Sequence, residues 1–186
     1  MNAEDLLRIS AWLSLPLITL GTLLHFVYDW TGQARWVALF ASVNESYWEH
    51  IKIAFWPLFV YYAALFFLGG SELPGFIPAA TVALYSVPVT MIATVFAYKR
   101  FAGRNILYLD ILMFIVTMLM SLMLFVLLSA ELVASPLTTG LSLLFLLALL
   151  IAFGTYTLRP PAEPDFFIDP TNQRYGLDAH EQAGDQ

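Results

Sequence analysis

Residues 111–130 read ILMFIVTMLMSLMLFVLLSA, twenty consecutive positions without a charge, a proline or a glycine. A helix rises about 1.5 Å per residue, so a run of this length crosses a hydrocarbon layer of about 30 Å. No period-2 alternation is present and the run is about twice as long as a barrel strand, which argues against a β-barrel. Four similar runs flank it, giving spans predicted at 6–29, 45–68, 77–98, 105–132 and 138–158. The fold class is therefore all-α, a polytopic transmembrane helical bundle of about five spans. Pro16, Pro57 and Pro88 fall inside spans, where neighbouring helices make proline tolerable.

The turns between spans are marked by Thr31-Gly32, Gly69-Gly70-Ser71, the stretch from Arg100 to Arg104, and Ala134-Ser135-Pro136. Composition changes at Pro160, so residues 1–159 read as one helical bundle and 160–186 as a Pro-rich acidic tail. Pro160, Pro161, Pro164 and Pro170 forbid a regular helix through the first half of that tail. Phe166, Phe167, Ile168 and Tyr175 are placed to pin this half to the bundle, while 176–186 reads as disordered. The acids Glu163, Asp165, Asp169, Asp178, Glu181 and Asp185 make the tail acidic, and His180 reads as solvated.

Of 186 residues, 60% are hydrophobic and 12% charged, a composition that a bilayer accepts and a soluble domain of this size does not. With no cysteine, disulfides, thiolate metal sites and a cysteine nucleophile are excluded. A net charge of −6 without any basic run argues against nucleic acid as a partner. The first run follows Glu4, Asp5 and Arg8 rather than a positive leader, so it reads as a retained anchor and not a cleaved signal. Lys and Arg are segregated: Arg35, Lys52, Lys99, Arg100, Arg104, Arg159 and Arg174 fall on one side and Arg8 on the other. The positive-inside rule then places the N-terminus outside and the C-terminus in the cytoplasm of a multi-pass cell-membrane protein.

Against this apolar background, ionisable residues gather where the first, second and fourth spans meet the cytoplasmic face. His25 and Asp29 share one helical face at i, i+4. Glu45, Glu49 and Lys52 form a stripe at i, i+4, i+7, with Ser46 and His50 beside it. Asp110 lies just inside the fourth span.

A purely structural reading accounts for part of this pattern. Ser42-Val43-Asn44-Glu45 fits a capping box for the second span. Trp30, Trp36, Trp48 and Trp56 fit an interfacial belt, and Lys52 can snorkel. Glu131 reads as interfacial, and Tyr85, Ser86, Thr90 and Thr94 read as hydrogen-bond links between helices.

A functional reading accounts for the rest. Glu45 and Glu49 repel unless a proton, a cation or Lys52 compensates. Asp29 stands at the wrong end of a helix dipole, and a deeper imidazole at His25 needs a partner. The set His25, Glu45, Glu49 and His50 has the donor chemistry for Zn, Mn or Fe, with Asp29 and Glu49 as catalytic candidates and Asn44, Lys52 and Asp110 in support. Neither H-E-x-x-H nor a paired E-x-x-H is present. Also missing are G-x-S-x-G, a Walker A loop and G-x-G-x-x-G, which argues against the common hydrolase, NTPase and dinucleotide chemistries.

The strings Leu24-His25…Asp29-Trp30, Asn44-Glu45-Ser46-Tyr47-Trp48-Glu49-His50…Lys52 and Asp169-Pro170…Tyr175-Gly176 together resemble a family of small prokaryotic membrane proteins carrying a domain of unknown function. The resemblance covers nearly the whole chain, and Asn-Glu-Ser-x-Trp-Glu-His is its most specific part. It implies a multi-span architecture and treats His25, Asp29, Asn44, Glu45, Glu49, His50 and Lys52 as one unit, but brings no reaction. Three functions follow as expectations: a metal-dependent membrane enzyme acting on a lipid or other apolar substrate, a small proton-coupled transporter component whose symmetry an oligomer supplies, and a non-catalytic assembly subunit.

Overall fold

The computed structural model describes residues 2–161 and 165–179, and these form five long helices: α1 (Ala3–Trp30), α2 (Tyr47–Phe67), α3 (Phe76–Ala102), α4 (Leu107–Glu131) and α5 (Pro136–Leu158). All five are long and apolar enough to cross a membrane. Local chemistry sets their ends. Asn2 and Asp5 form a reciprocal capping box at the start of α1, and Ser135 with Thr138 does the same for α5, whose first residue is Pro136. At the end of α3, Gly103 takes the left-handed conformation that glycine adopts at low cost. Helices α1, α2 and α3 continue through Pro16, Pro57 and Pro88.

α2 is the most enclosed helix and α5 the least, so most of the surface of α5 is apolar and faces outward. α3 packs along α4, α1 against α2 and α4, and α5 against α3. Hydrogen bonds cross these seams, as expected where lipid offers polar groups no alternative. Tyr62 on α2 meets Ser121 on α4 at 3.0 Å, and Ser121 donates to the Ala83 carbonyl of α3 at 2.7 Å. Ser10 and Tyr61 join α1 to α2, and Tyr85 donates to the Phe145 carbonyl of α5. Ser86 and Thr94, by contrast, bond carbonyls of their own helix.

At one end of the bundle the chain folds back on itself twice. The α1–α2 loop carries a 3₁₀ turn (Val37–Leu39) and buries Val37, Ala38, Ala41 and Val43 against Tyr28. The segment 165–179 follows as a strap of two short 3₁₀ turns, with Phe167, Asp169, Gly176 and Ala179 buried. Residues 176–179 are thus ordered against the bundle, unlike the expectation for that stretch. The expectations for Glu163, Pro164, His180, Glu181 and Asp185 fall outside the described residues.

Two local expectations are corrected. The N-cap of α2 is Ser46, which accepts from the Glu49 amide, and not Ser42. Ser42 instead donates to the Asn44 carbonyl, so Glu45 lies before the helix and outside its stripe. Trp48 is buried, packed at tilted and edge-on angles against Phe153, Tyr156 and Phe167, and so takes no part in an exposed belt.

Lys52 does not snorkel: it is 0% exposed, and its Nζ lies 2.6 Å from the carboxylate of Glu49, itself 1% exposed. The ammonium also donates to the Ala38 carbonyl at 2.6 Å and to Thr157 at 3.0 Å. The Glu49 carboxylate accepts in addition from the Val43 amide at 3.0 Å and from Thr157 at 3.4 Å. One buried ion pair thereby ties the α1–α2 loop, α2 and α5 together. Such a pair adds little net stability, but removing one partner strands a charge at a cost of about 3–5 kcal/mol. Lys52→Met is therefore expected to lower thermal stability sharply in detergent, and Glu49→Gln/Lys52→Met to recover most of the loss. Equal stability of the single variant and the parent, read by light-scattering melts, contradicts this.

Candidate functional site

Next to that ion pair, the end of the bundle brings three side chains from three segments to one point. His25 comes from the C-terminal part of α1, Glu45 from the loop, and His50 from the first turn of α2. One ligand atom of each lies within 4.8 Å of the others. His25 Nε2 is 3.2 Å from one Glu45 oxygen, His50 Nε2 is 3.8 Å from the other, and the two imidazole centroids are 5.3 Å apart. All three are partly exposed, Glu45 the most at 46% of its side chain.

Glu45 is held by its neighbours in the chain. Its amide donates to the buried Asp169 carboxylate of the strap at 3.1 Å. Asn44 accepts from the Ser46 amide at 2.8 Å and donates to the Gly176 carbonyl at 2.9 Å, locking the same backbone from the other side. Asp169 is fixed in turn by the Thr171 amide. The strap is thus a wall of the site.

The triad sets imidazole nitrogens against a carboxylate, an arrangement that a shared proton or a cation would satisfy. His50 Nδ1 lies 2.9 Å from the Ser46 carbonyl. A carbonyl only accepts, so Nδ1 carries a proton, and in a neutral ring Nε2 would then present its lone pair toward Glu45. A lone pair facing a carboxylate is repulsive until a proton or a metal ion lies between them. The Ser46 contact is the kind that fixes the tautomer of a metal-binding histidine. His25 Nδ1, the nitrogen turned away from Glu45, is buried without a hydrogen-bond partner, a condition worth about 1–3 kcal/mol of destabilisation. The hydrogen bond from His25 holds the Glu45 carboxyl below the usual range, aided by the positive potential of both imidazoles and opposed by burial. Glu45 is therefore ionised at neutral pH, as a ligand must be.

Glu45 and His50 open onto a pocket of about 560 Å³. Tyr47 and Asp110 supply its other polar edge, and Met91 and Val95 part of its apolar wall. Asp110 accepts a hydrogen bond from Tyr98, which also meets Tyr47 at 3.4 Å.

The structure brings His25, Glu45 and His50 together and keeps Glu49 apart, its carboxylate committed to Lys52, Val43 and Thr157. Asp29 is on α1 one turn beyond His25 and outside the triad, and Asn44 supports Glu45 rather than entering the site. Asp169, the Ser46 carbonyl and Tyr98 are parts that reasoning from single positions did not assign. The Asp169-Pro170…Tyr175-Gly176 string carried the signal for the first.

The profile of a family of unknown function, DUF6512, matches residues 1–177. The chain belongs to that family. No curated protein and no solved structure matches it. The matched region includes all five helices, the triad and most of the strap, so the DUF6512 region contains every residue of the site described above.

Removing the strap carboxylate tests the wall. Asp169→Ala leaves the Glu45 and Thr171 amides without their acceptor, a loss of about 1–3 kcal/mol. Hydrogen exchange is expected to accelerate at residues 43–47 and to stay unchanged in α4. Unaltered exchange at the Glu45 amide contradicts this role for Asp169.

Proposed function

We propose that this protein is a metal-dependent membrane enzyme whose ion is held by His25, Glu45 and His50 and whose substrate is a lipid or another apolar molecule. One observation carries the reading: two imidazoles and one carboxylate converge at ligand spacing and open onto a pocket with an apolar wall. Three protein ligands leave coordination positions free, the arrangement found in catalytic rather than structural zinc sites; two histidines with one carboxylate also suit Mn or Fe. A bound ion supplies Lewis acidity or an activated water at neutral pH.

The residues of this chain divide the remaining work. Met91 and Val95 receive the apolar part of the substrate. Asp110, oriented by Tyr98, is the proton donor or acceptor across the pocket, and Asp29 supports His25 from the next turn of α1. The excess of Lys and Arg at this end supports a site in the cytoplasmic leaflet, with the N-terminus outside. A proton-coupled carrier using Asp29, Glu49 and Asp110 is the weaker reading, because Glu49 is committed to a buried ion pair with Lys52.

Purified full-length protein, stripped with chelator and titrated with Zn²⁺ and Mn²⁺, is expected to bind one equivalent. Glu45→Gln and His50→Ala are expected to weaken binding by about 100-fold or more, since even the loss of an outer-sphere partner costs 10–100-fold. The reconstituted protein should then change the mass spectrum of a membrane lipid extract in a chelator-sensitive, Glu45-dependent way. Negligible metal binding by the parent protein sinks the metal site. Metal binding with unchanged lipids and a pH-gradient-driven solute flux replaces the enzyme with a carrier.

A further inference from the structure

The later part of the strap lines a second pocket, of about 580 Å³, to which no residue of the triad contributes. Arg35 of the α1–α2 loop and Arg159 at the end of α5 line it together, with Gln33, Tyr28, Tyr175 and the backbone around Gly176. The two arginines are 124 positions apart in sequence, and the fold brings them to one concavity. Neither forms an ion pair among the described residues, although Asp178 lines the same pocket.

Two like charges set into one pocket repel, and an anion between them removes that repulsion. The wall they share is closely packed at Gly176. Gly176 has a φ of +52°, and a Cβ there would lie 3.1 Å from Pro160 and from the Thr157 carbonyl. Its own carbonyl is held by Asn44. Guanidinium groups present paired donors whose spacing matches the oxygens of a phosphate, and Gln33 adds a neutral donor to the set.

The position favours a phosphate group further. Trp30 and Trp36, at the same end of the bundle, are 66% and 69% exposed, as aromatic rings are at headgroup depth. We propose that this pocket binds a phosphate group, carried by an anionic phospholipid headgroup or by a free phosphate compound, between Arg35 and Arg159.

The full-length protein tests this in detergent, using phosphatidylglycerol and phosphatidylcholine as lipid probes and inorganic phosphate as the soluble one. Arg35→Gln/Arg159→Gln is compared with Arg100→Gln/Arg104→Gln, which removes equal charge from the same end of the molecule outside the pocket. Both pairs are exposed, so neither change removes buried packing. If the source is lipid, native mass spectrometry shows phosphatidylglycerol adducts retained over phosphatidylcholine. That preference falls about tenfold in the pocket variant and not in the control. If the source is a soluble phosphate, inorganic phosphate at constant ionic strength raises the melting temperature of the parent and the control but not of the pocket variant. The proposal is overturned if neither probe binds, or if both variants lose binding equally.

Discussion

Charge inside a hydrocarbon layer must be paired, and the Glu49–Lys52 pair is where this chain meets that constraint. Its ammonium and carboxylate reach Ala38, Val43 and Thr157 as well as each other, so a loop and two helices share one electrostatic knot. Val43 lies two residues before Glu45, and Ala38 begins the segment that buries the loop. Fixing these points fixes the course of the chain into α2, which in turn sets Glu45 against His25 and His50. The buried pair is a scaffold, and the partly exposed triad stands beside it.

The strap completes this arrangement from the far end of the chain. Asp169 takes the Glu45 amide, and Gly176 takes the Asn44 side chain. Asp169, Pro170 and Thr171 of the strap border the triad and its pocket, and Tyr175 to Asp178 line the arginine pocket. A small apolar bundle thus carries two polar concavities of different character at one end, one rich in carboxylate and imidazole, the other in guanidinium.

Much of the fold was legible because span length and hydropathy are properties of contiguous sequence. Five apolar runs gave five helices, and the structure moved their ends by only a few residues. The site was legible in part. His25, Glu45 and His50 stood out as ionisable groups near lipid, but adjacent positions could not show which would converge. Glu49 looked equivalent to Glu45 because both fell on one predicted stripe. Starting α2 at Ser46 instead of Ser42 took Glu45 off that stripe and turned Glu49 inward. The partners of Lys52 and Glu45 were invisible for a different reason: Thr157 and Asp169 lie more than 100 positions away, and no local periodicity reports such pairings.

The central claim is that one ion sits among two imidazoles and a carboxylate contributed by α1, the loop and α2. X-ray absorption at the zinc edge of the metal-loaded, full-length protein addresses it most directly. The account predicts the multiple-scattering signature of two imidazoles with nitrogen at about 2.0–2.1 Å, completed by oxygen ligands, and the loss of one imidazole in His25→Ala. A spectrum of oxygen ligands alone, or one unchanged by that substitution, contradicts it.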